Sequence, residues 1–247
     1  MSKKRKFVLR LDDQYTFLRQ TKRFRFLSGW LRGLARFVLR IHHRLFFGLK
    51  VCGREHLRQI PGAAITVCNH VNMLDCSIVG CQFPYTGRKM FFPTLKSNLE
   101  IPIVRHLVKY LGGLPIPQTP KSYQSFSNCV EELLGQGELV HFFPEGELIP
   151  YDTRLRTFQR GAFWFSYQCD VPILPMVISY RKAGWLRRLL RRRPPLNLEI
   201  LPPVYPNLNH KRSRETRRLM ELCKEQMEQA FADKNDPGAF SVGKQKS

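Results

Sequence analysis

Between residues 63 and 201, short apolar runs of strand length alternate with longer segments of helical periodicity. The short runs carry few charges, which is typical of strands that are buried on both faces of a sheet. Strands and helices that alternate along a chain form a mostly parallel sheet with helices on both faces. We therefore predict an α/β fold, a single domain whose mostly parallel central sheet is flanked by helices. The predicted strands are 63–68, 89–95, 114–116, 138–143, 173–180 and 196–201, and the predicted helices start near 71, 101, 120, 160 and 214.

The positive charge of the chain lies mostly outside the elements of this α/β pattern. The 247 residues carry a formal net charge of +22. Residues 1–50 contain fourteen Lys and Arg against two Asp, and residues 181–193 contain seven Lys and Arg without an acidic residue. We accordingly divide the chain into a basic amphipathic arm over 1–50, a folded domain over 51–236 and a flexible tail over 237–247.

The arm predicts an amphipathic helix of about five turns. At roughly 100° per residue, six of its apolar side chains fall within about 80° of one another and form a stripe. This stripe consists of Leu27, Leu31, Leu34, Val38, Ile41 and Leu45. Nearly opposite lies a polar cluster made of Arg32, Arg36, Arg40 and His43. The stripe can pack on the protein's own domain or on a lipid surface, and both can share it.

A lipid surface is the preferred partner, because both basic segments also carry apolar and aromatic residues such as Trp30 and Trp185. Apolar burial and charge attraction act together at a membrane that contains anionic lipids. The sequence has no run of eighteen uncharged apolar residues, so we expect no spanning helix. We expect a peripheral, monotopic protein at the cytoplasmic face of a membrane.

The cysteines and histidines predict neither a disulfide framework nor a metal site. The seven cysteines are an odd number and include no CxxC pair, which favours reduced thiols in a cytosolic protein. Cysteine, histidine and acidic residues do not occur at metal-ligand spacing. We therefore expect no metal and no cofactor.

The first pattern whose residues could take part in catalysis follows the strand predicted at 63–68 and reads NHVNMLD over 69–75. On a straight helix His70 and Asp75 would be about 140° apart, so they cannot share a helical face. They can meet if His70 lies in the loop before the helix and Asp75 lies in its first turn. The carboxylate then accepts from one ring nitrogen and leaves the other free to take a proton. The alternative is a capping Asp beside an unrelated His.

A second pattern follows the strand predicted at 138–143 and reads FPEGE over 143–147. Its Pro and Gly are typical of a tight turn at a strand end. Because ligands bind at the carboxyl ends of strands in α/β sheets, an uncompensated Glu145 there could accept from a substrate hydroxyl. The alternative is an ordinary turn whose carboxylate points to water.

Together, these two patterns resemble two signature motifs of the glycerolipid acyltransferases, the group that contains 1-acylglycerol-3-phosphate acyltransferase. The two patterns, which match the family's first and third motifs, lie about 75 residues apart. Residues 96–113 resemble the segment that leads into the second motif, RGA at 160–162 resembles the element after the third, and VPILP at 171–175 resembles the fourth. The resemblance covers roughly residues 50–205. Four motifs in the same order, at compatible spacing, make it far more specific than any single motif.

The resemblance implies acyl transfer from a thioester, acyl-CoA or acyl carrier protein, to the hydroxyl of a lysophospholipid. His70 would be the general base, and Asp75 would hold its tautomer. The substrate-binding residues would be Glu145, Gly146, Lys96 and Arg160. The acceptor would attack the thioester directly, since the sequence has no G-x-S-x-G nucleophile motif.

Two departures from the family pattern concern the acceptor. The second motif usually ends in an arginine, and here LPIPQ at 114–118 has none. The family's third motif, which FPEG at 143–146 resembles, usually continues with Thr-Arg or Ser-Arg. In this chain Glu147-Leu148 follows Gly146 instead. Arg154, Arg156 or Arg160, together with Lys96, could still meet a phosphate, because a cation within reach is sufficient. Lysophosphatidic acid is the default acceptor, and another lysophospholipid or a lyso-aminolipid remains an alternative.

Two other classes of function compete with this prediction. A basic nucleic-acid-binding protein would fit the charge, but no helix-turn-helix, zinc-finger or RRM signature is present, and the folded domain is nearly neutral. A catalytically inactive lipid-binding protein is the second alternative. It would predict the loss of His70, Asp75 or Glu145, all of which are present. The sequence leaves the oligomeric state open.

Overall fold

The computed structural model describes residues 17, 21–83, 87–102, 104–117, 119–152, 154–185, 189 and 194–234. The tail predicted at 237–247 and most of the arm before residue 21 lie outside the described residues. The strands are β1 (Lys50–Cys52), β2 (Ala64–Cys68), β3 (Met90–Thr94), β4 (Gly113–Pro115), β5 (Leu139–Phe142), β6 (Ile173–Tyr180) and β7 (Leu196–Ile200). The helices are α1 (Lys22–Leu45), α2 (Asp75–Gly80), α3 (Val104–Leu111), α4 (Pro120–Gly135), α5 (Gly161–Cys169) and α6 (Arg212–Lys234).

Across the described part of the chain, the seven strands form one sheet in the order β1-β7-β6-β2-β5-β3-β4. Neighbouring strands pair in parallel except β6 and β7, which are antiparallel. The predicted α/β fold with a mostly parallel sheet is therefore confirmed. Because β2, β3 and β5 run in the same direction, their carboxyl ends lie together. We call this side of the sheet the carboxyl edge.

The core consists of two apolar layers, one on each face of the sheet. β2 is buried along its whole length and contributes alternately to both layers, as a central strand does. Ile65 and Val67 pack in the layer beneath α4, α5 and α6. Ala64 and Cys68 pack in the opposite layer together with Ile78 of α2. Both faces of the sheet are thus covered, and the loops that follow β2 and β5 are held at the carboxyl edge.

The element boundaries lie close to the predicted ones, with differences at four segments. β1 and the two 3₁₀ turns at Arg54–Gln59 and Lys96–Leu99 were not predicted, because such short segments carry no clear periodicity. α2 begins at Asp75 rather than near residue 71, so the whole NHVNML segment is loop. β1 begins at the last residue of the predicted arm, which therefore reaches into the sheet.

Helix α1 is longer than the five turns predicted, and it packs against the domain through its polar side. Ser28 Oγ donates to Tyr110 O at 2.6 Å, and Arg32 Nη1 donates to Met90 O at 2.9 Å. Arg40 Nη2 donates to Cys81 O at 2.8 Å. Hydrogen bonds from guanidinium groups to backbone carbonyls that helices and strands leave unpaired are charge-assisted and strong.

The other side of α1 carries the apolar stripe, and this side is exposed. Trp30 and Phe37, which flank the stripe, expose 63% and 67% of their surface. Exposed stripe members include Leu27, Leu34, Val38, Ile41 and Leu45. The predicted amphipathic helix is therefore present, and its basic face is turned toward the protein instead of toward a partner. An exposed apolar surface of this extent on one helix is typical of a docking surface.

A cavity of about 400 Å³ lies between α1 and the domain. Most of its lining surface is apolar, from residues such as Leu39, Phe83 and Phe92. Cys76 and Ser77 of α2 also form part of the wall, and so do four basic residues, Arg32, Arg36, Arg88 and Lys89. His43, near the C-terminal end of α1, is buried, and its ring Nε2 lies 3.0 Å from Ser77 Oγ. Burial lowers the pKa of His43 to about 4, so the ring is neutral at pH 7.

Candidate active site

The loop after β2 is fixed by the amide side chain of Asn69. This buried side chain donates from Nδ2 to Ile178 O at 2.9 Å and accepts from Ile178 N at 2.8 Å. It thereby pairs with both the N–H and the C=O of Ile178 in β6, just beyond the point where the pairing of β2 with β6 ends. Tyr180 Oη adds a hydrogen bond to Val71 O at 3.3 Å. The loop that carries His70 is therefore attached to the sheet on both sides of the histidine.

His70 and Asp75 meet in the manner that the sequence predicts. His70 lies in the loop before α2, Asp75 is the first residue of α2, and His70 Nδ1 lies 3.0 Å from Asp75 Oδ2. The same carboxylate oxygen accepts from Val71 N and Asn72 N, each at 2.7 Å. Asp75 does not cap α2, whose N-cap is Leu74 without a side-chain hydrogen bond; the same oxygen closes the loop before the helix and holds the ring.

The Asp75 carboxylate sits in a strongly desolvated position. Its burial raises the pKa of Asp75, and the hydrogen bonds from His70, Asn72 and Val71 act in the opposite direction. Its second oxygen, Oδ1, is buried without a hydrogen-bond partner in the described part of the chain. A carboxylate that is short of solvation gains most from a positive partner, so it can stabilise an imidazolium that forms during a reaction.

One face of the His70 ring is covered and its outer edge is open. The Phe143 ring stacks on it with centroids 3.8 Å apart, and Phe143 in turn contacts His141 edge to face at 4.6 Å. His141 is fully buried and bonds Thr66 Oγ1 at 2.7 Å through Nδ1. The side chain of His70 keeps 20% of its surface exposed. With Nδ1 bound to Asp75, Nε2 is the nitrogen available to a substrate.

Glu145 is brought into direct contact with the His70 loop. Its Oε2 accepts from His70 N at 3.2 Å, and its side chain is almost completely buried. Gly146, at a φ of 76°, allows the tight turn that aims Glu145 inward. The turn is closed by Gly146 N, which donates to Phe143 O at 3.0 Å. The ordinary-turn alternative, in which the carboxylate of Glu145 points to water, is therefore wrong.

Arg156 neutralises Glu145 from the other side. Its Nη2 donates to Glu145 Oε2 at 2.7 Å and also to Glu147 O, while its backbone N donates to Glu145 Oε1 at 3.2 Å. The segment between them is held against the His70 loop by Ile149 N, which donates to His70 O at 3.2 Å, and by Tyr151 N, which donates to Val71 O at 3.1 Å.

Lys96 and Arg160 lie at the carboxyl edge without contacting the histidine. Lys96 follows β3 and its Nζ lies 3.8 Å from Glu100 Oε1. Arg160 precedes α5 and is exposed. Within the described residues, no hydrogen bond or ion pair joins either cation to His70, Asp75 or Glu145. Their part in substrate binding stays a prediction.

The cysteines next to the motif are not poised as nucleophiles. Burial raises the pKa of Cys76 to about 12 and raises that of Cys68 well above its ordinary value, and in both cases the charge of Asp75 adds to the effect. Both are therefore thiols at neutral pH, and the thiolate is the reactive form. All seven cysteines, which lie within the described residues, are free. The described residues include no group of His, Cys, Asp and Glu side chains that could hold a metal ion.

Two residues that shape the site received no role from sequence reasoning, and a third was considered only as a contact for phosphate. Asn69 was quoted only as part of the motif, Phe143 only as part of the turn, and Arg156 only as one of several cations. A buried Asn directly after a buried strand is a detectable signal, because such an amide must find backbone partners. The contacts of Phe143 and Arg156 depend on how the loop folds, and the sequence pattern carries no signal for them.

Comparisons with known proteins agree with this geometry. Residues 48–179, just over half of the chain, match the family model described as Acyltransferase. The chain is 29% identical over 138 residues to a chloroplastic 1-acyl-sn-glycerol-3-phosphate acyltransferase of Arabidopsis thaliana, covering 54% of this chain and 36% of that protein. It is 27% identical over 174 residues to 1-acyl-sn-glycerol-3-phosphate acyltransferase alpha of Mus musculus, covering 68% and 59%. The chain thus spans about a third to three fifths of the length of these relatives.

A solved structure supports the fold independently. The crystal structure of the 1-acyl-sn-glycerophosphate acyltransferase PlsC from Thermotoga maritima aligns with a TM-score of 0.59 at 20% identity. The alignment covers 93% of this chain and 87% of that one. The family match extends over β2, α2 and β5, and it includes His70, Asp75 and Glu145. By its motifs, its fold and this match, the chain belongs to the Acyltransferase family.

Proposed function

We propose that this chain transfers a fatty acyl group from an acyl thioester to the hydroxyl of 1-acylglycerol-3-phosphate, which gives phosphatidic acid. The observation that carries the proposal is the His70–Asp75 pair. The buried carboxylate holds Nδ1 at 3.0 Å, and the outer edge of the ring is open to solvent. This is the arrangement of a general base that works on a substrate hydroxyl.

The reaction needs only the two substrates and this base. His70 Nε2 takes the proton of the acceptor hydroxyl while the oxygen attacks the thioester carbonyl carbon, and a tetrahedral intermediate forms. When the C–S bond breaks, the leaving thiolate receives the proton from the imidazolium, so the histidine ends as it began. Asp75 stabilises the imidazolium between these two steps. The raised thiol pKa values of Cys68 and Cys76 argue against an acyl-cysteine intermediate.

The cavity beneath α1 suits an acyl chain. Its lining is mostly apolar, and Cys76 and Ser77, the residues directly after Asp75, form part of it. A chain that enters at this point would bury its methylenes beside the reacting groups, at about 0.8 kcal/mol for each buried CH₂. The relatives described above are named for 1-acyl-sn-glycerol-3-phosphate, which supports lysophosphatidic acid as the acceptor. Acyl-CoA and acyl carrier protein are both retained as donors.

We further propose that the protein works as a peripheral, monotopic enzyme at a membrane with anionic lipids, facing the cytoplasm. The support is the exposed stripe of α1, which would enter the headgroup region. Trp185 is also exposed, and Arg181 Nη2 near it donates to Gly48 O just after α1. Lys22, Arg23 and Arg25 are exposed and available to lipid phosphates. Among the helices of the described residues, none is long and apolar enough to cross a membrane.

A product assay on the purified protein in anionic vesicles tests the activity. It combines acyl-CoA and acyl-carrier-protein donors with lysophosphatidic acid, other lysophospholipids and a lyso-aminolipid. We expect phosphatidic acid as the main product, and we expect His70→Ala to abolish it. His56→Ala, a change of a partly exposed histidine on the first 3₁₀ turn, is the matched control and should keep full activity. If no combination of donor and acceptor reacts, the enzymatic proposal is wrong.

A further inference from the structure

We infer that His141 is a positioning residue for the proposed base, because it holds the His70 ring in its working plane through the ring of Phe143. In this plane, Nδ1 meets Asp75 and Nε2 faces the substrate. The inference rests on the proposed function, since it names a residue that positions the base of that reaction. His141 belongs to β5 and is fully buried, and no step of the reaction described above uses it.

The ring of His70 needs more than its hydrogen bond to be fixed. The contact of Nδ1 with Asp75 Oδ2, at 3.0 Å, holds one atom of the ring and still lets the ring plane turn about that atom. The plane is set by Phe143, whose ring lies nearly parallel, at 10°, with the two centroids 3.8 Å apart. A turn of the His70 ring would break this stacking, so the direction of Nε2 depends on where Phe143 lies.

The position of Phe143 depends in turn on His141. Phe143 directly follows β5 and is only partly buried, so it needs support from neighbouring side chains. Side chains two residues apart on a strand lie on the same face, which places His141 next to Phe143. Their rings meet edge to face at 87°, with the centroids 4.6 Å apart. Phe143 therefore contacts both histidine rings, that of His70 face to face and that of His141 edge to face.

His141 is a firm support because it is bonded to the centre of the sheet. Its Nδ1 lies 2.7 Å from Oγ1 of Thr66, its register partner on β2, and both residues are fully buried. The Thr66 hydroxyl makes no other hydrogen bond within the described residues, which assigns it as the donor to Nδ1 and places the ring proton of His141 on Nε2. Burial, with a smaller effect of His70, lowers the pKa of His141 to about 3, so its ring is neutral at pH 7. A neutral ring adds no charge beside the base.

Stability alone does not account for a histidine at this position. Nε2 is buried and makes no hydrogen bond with any described residue, which costs free energy that an apolar side chain would not lose. The same face of β5 carries Leu139, which belongs to the apolar layer beneath α2. Leucine at 141 and valine at 66 would fill this layer without a buried polar group. What the histidine offers instead is a flat ring, fixed by a hydrogen bond, on which Phe143 can rest.

The test replaces both bonded partners at once, Thr66→Val together with His141→Leu, in the full-length protein. Because no polar group is left without its partner, the urea midpoint should equal or exceed that of wild type. We expect kcat for lysophosphatidic acid and acyl-CoA to fall by about 10- to 100-fold, since the base loses its alignment, while KM stays within about twofold. Thr66→Val together with His141→Phe restores a flat ring and should recover kcat to within about threefold of wild type. Leu139→Met, on the same face of β5, is the matched control and should keep kcat within about twofold.

Nitrogen NMR of isotope-labelled histidine, in mildly alkaline buffer with detergent, separates this inference from the activity. The signals of His70, identified by their loss in His70→Ala, should be sharp in wild type and show the proton on Nδ1. The variant with Thr66→Val and His141→Leu should broaden them or mix the two tautomers. This change, in a protein whose wild type transfers no acyl group, would overturn the proposed function and uphold the inference.

Four results would overturn the inference itself. The first is a set of His70 signals that the variant with Thr66→Val and His141→Leu leaves unchanged. The second is a kcat of that variant within about twofold of an active wild type. An equal loss of kcat in Leu139→Met is the third, because packing along β5 would then explain the effect. The fourth is a urea midpoint well below that of wild type, because stability would then account for the histidine.

Discussion

Asp75 is the residue on which the geometry of the site depends most. A single oxygen of its carboxylate accepts from two backbone N–H groups and from the His70 ring. The backbone bonds fix the carboxylate before any substrate arrives, so the ring bond is made to a preorganised acceptor. Because the carboxylate is buried and its pKa is raised, it gains strongly from the positive charge that His70 acquires during turnover.

Replacing Asp75 with Asn should therefore affect the rate more than substrate binding. The amide keeps the shape but removes the negative charge, and it leaves the tautomer of His70 undetermined. We expect kcat to fall by on the order of 10³- to 10⁴-fold with little change in KM. Steady-state kinetics with lysophosphatidic acid and acyl-CoA measure this effect. Asp170→Asn, at an exposed left-handed position after α5, is the matched control, because Asn tolerates that backbone conformation. A kcat above a tenth of the wild-type value would contradict this role of Asp75.

The His70–Asp75 contact could be predicted from the sequence, because both residues lie in one short segment whose geometry is set by a strand end and a helix start. The contact between Arg156 and Glu145 could not. Eleven residues separate them in an irregular loop, whose course depends on Tyr151 at a φ of 64° and on backbone bonds to the His70 loop. A long side chain at such a position can reach several partners, and only the folded loop selects one of them.

At the scale of elements, α1 is held to the domain by hydrogen bonds from polar side chains to backbone carbonyls. Arg32 bonds Met90 O and Tyr110 O and packs over the Phe91 ring, with its guanidinium carbon 5.0 Å from the ring centroid. Its burial lowers the pKa of Arg32 to about 10, which still leaves the guanidinium charged at neutral pH. Such a contact needs space for the guanidinium, and Gly112 provides that space.

Gly112→Ala should weaken the attachment of α1. At a φ of +100°, an added Cβ would lie 2.5 Å from Arg32 Nη2 and 2.7 Å from Met90 O, so it strains the backbone and displaces the guanidinium. We expect a loss of about 1–3 kcal/mol in the free energy of unfolding. Urea denaturation measures this loss, and faster thiol labelling of Cys81, which lines the cavity beneath α1, would report that the helix has loosened.

Gly135→Ala supplies the control for this experiment. Gly135 is the last residue of α4, and an added Cβ there meets nothing within 4 Å. Alanine is the better helix former, so this change should leave the stability equal or slightly higher. Equal stability of the two variants would show that Arg32 does not depend on the space at Gly112.

The amphipathic character of α1 was evident in the sequence, but the direction in which each face points was not. A helical pattern specifies two sides and contains no information about which side meets the domain. Arginines face inward here because carbonyls of Met90, Tyr110 and Cys81 lie beneath them and accept from them, and these carbonyls belong to segments far along the chain. The apolar stripe of α1 can stay exposed because hydrogen bonds from the polar side chains attach the helix to the domain.

At the scale of the whole molecule, the fold was the most predictable property. Buried strands flanked by amphipathic helices leave few ways to cover both faces of a sheet, so the α/β class follows from the pattern. The antiparallel strand β7 and the short strand β1 depend on pairings at the edge of the sheet, and the sequence alone does not specify those pairings.

Attachment to lipid is also a property of the whole molecule, and the exposed stripe predicts how it can be weakened. Trp30→Glu and Phe37→Glu should each lower the fraction bound to anionic vesicles by about tenfold, since each removes a large apolar side chain and adds a repelled charge. Cosedimentation with vesicles over a salt series measures binding and separates charge attraction from apolar burial. Leu208→Glu is the control, because Leu208 is also half exposed but lies in the loop before α6. Equal losses in all three variants would contradict docking through α1.

The hydrogen bonds of Arg32 and Arg40 have a consequence for orientation. They reach carbonyls on two different segments, so α1 cannot roll about its own axis relative to the sheet. When the stripe enters a bilayer, the protein would then bind in a single orientation, with the carboxyl edge at a constant tilt and a constant height above the membrane. Lysolipids diffusing in the plane of the membrane would find the entrance at a fixed depth, and the search for substrate would be reduced from three dimensions to two.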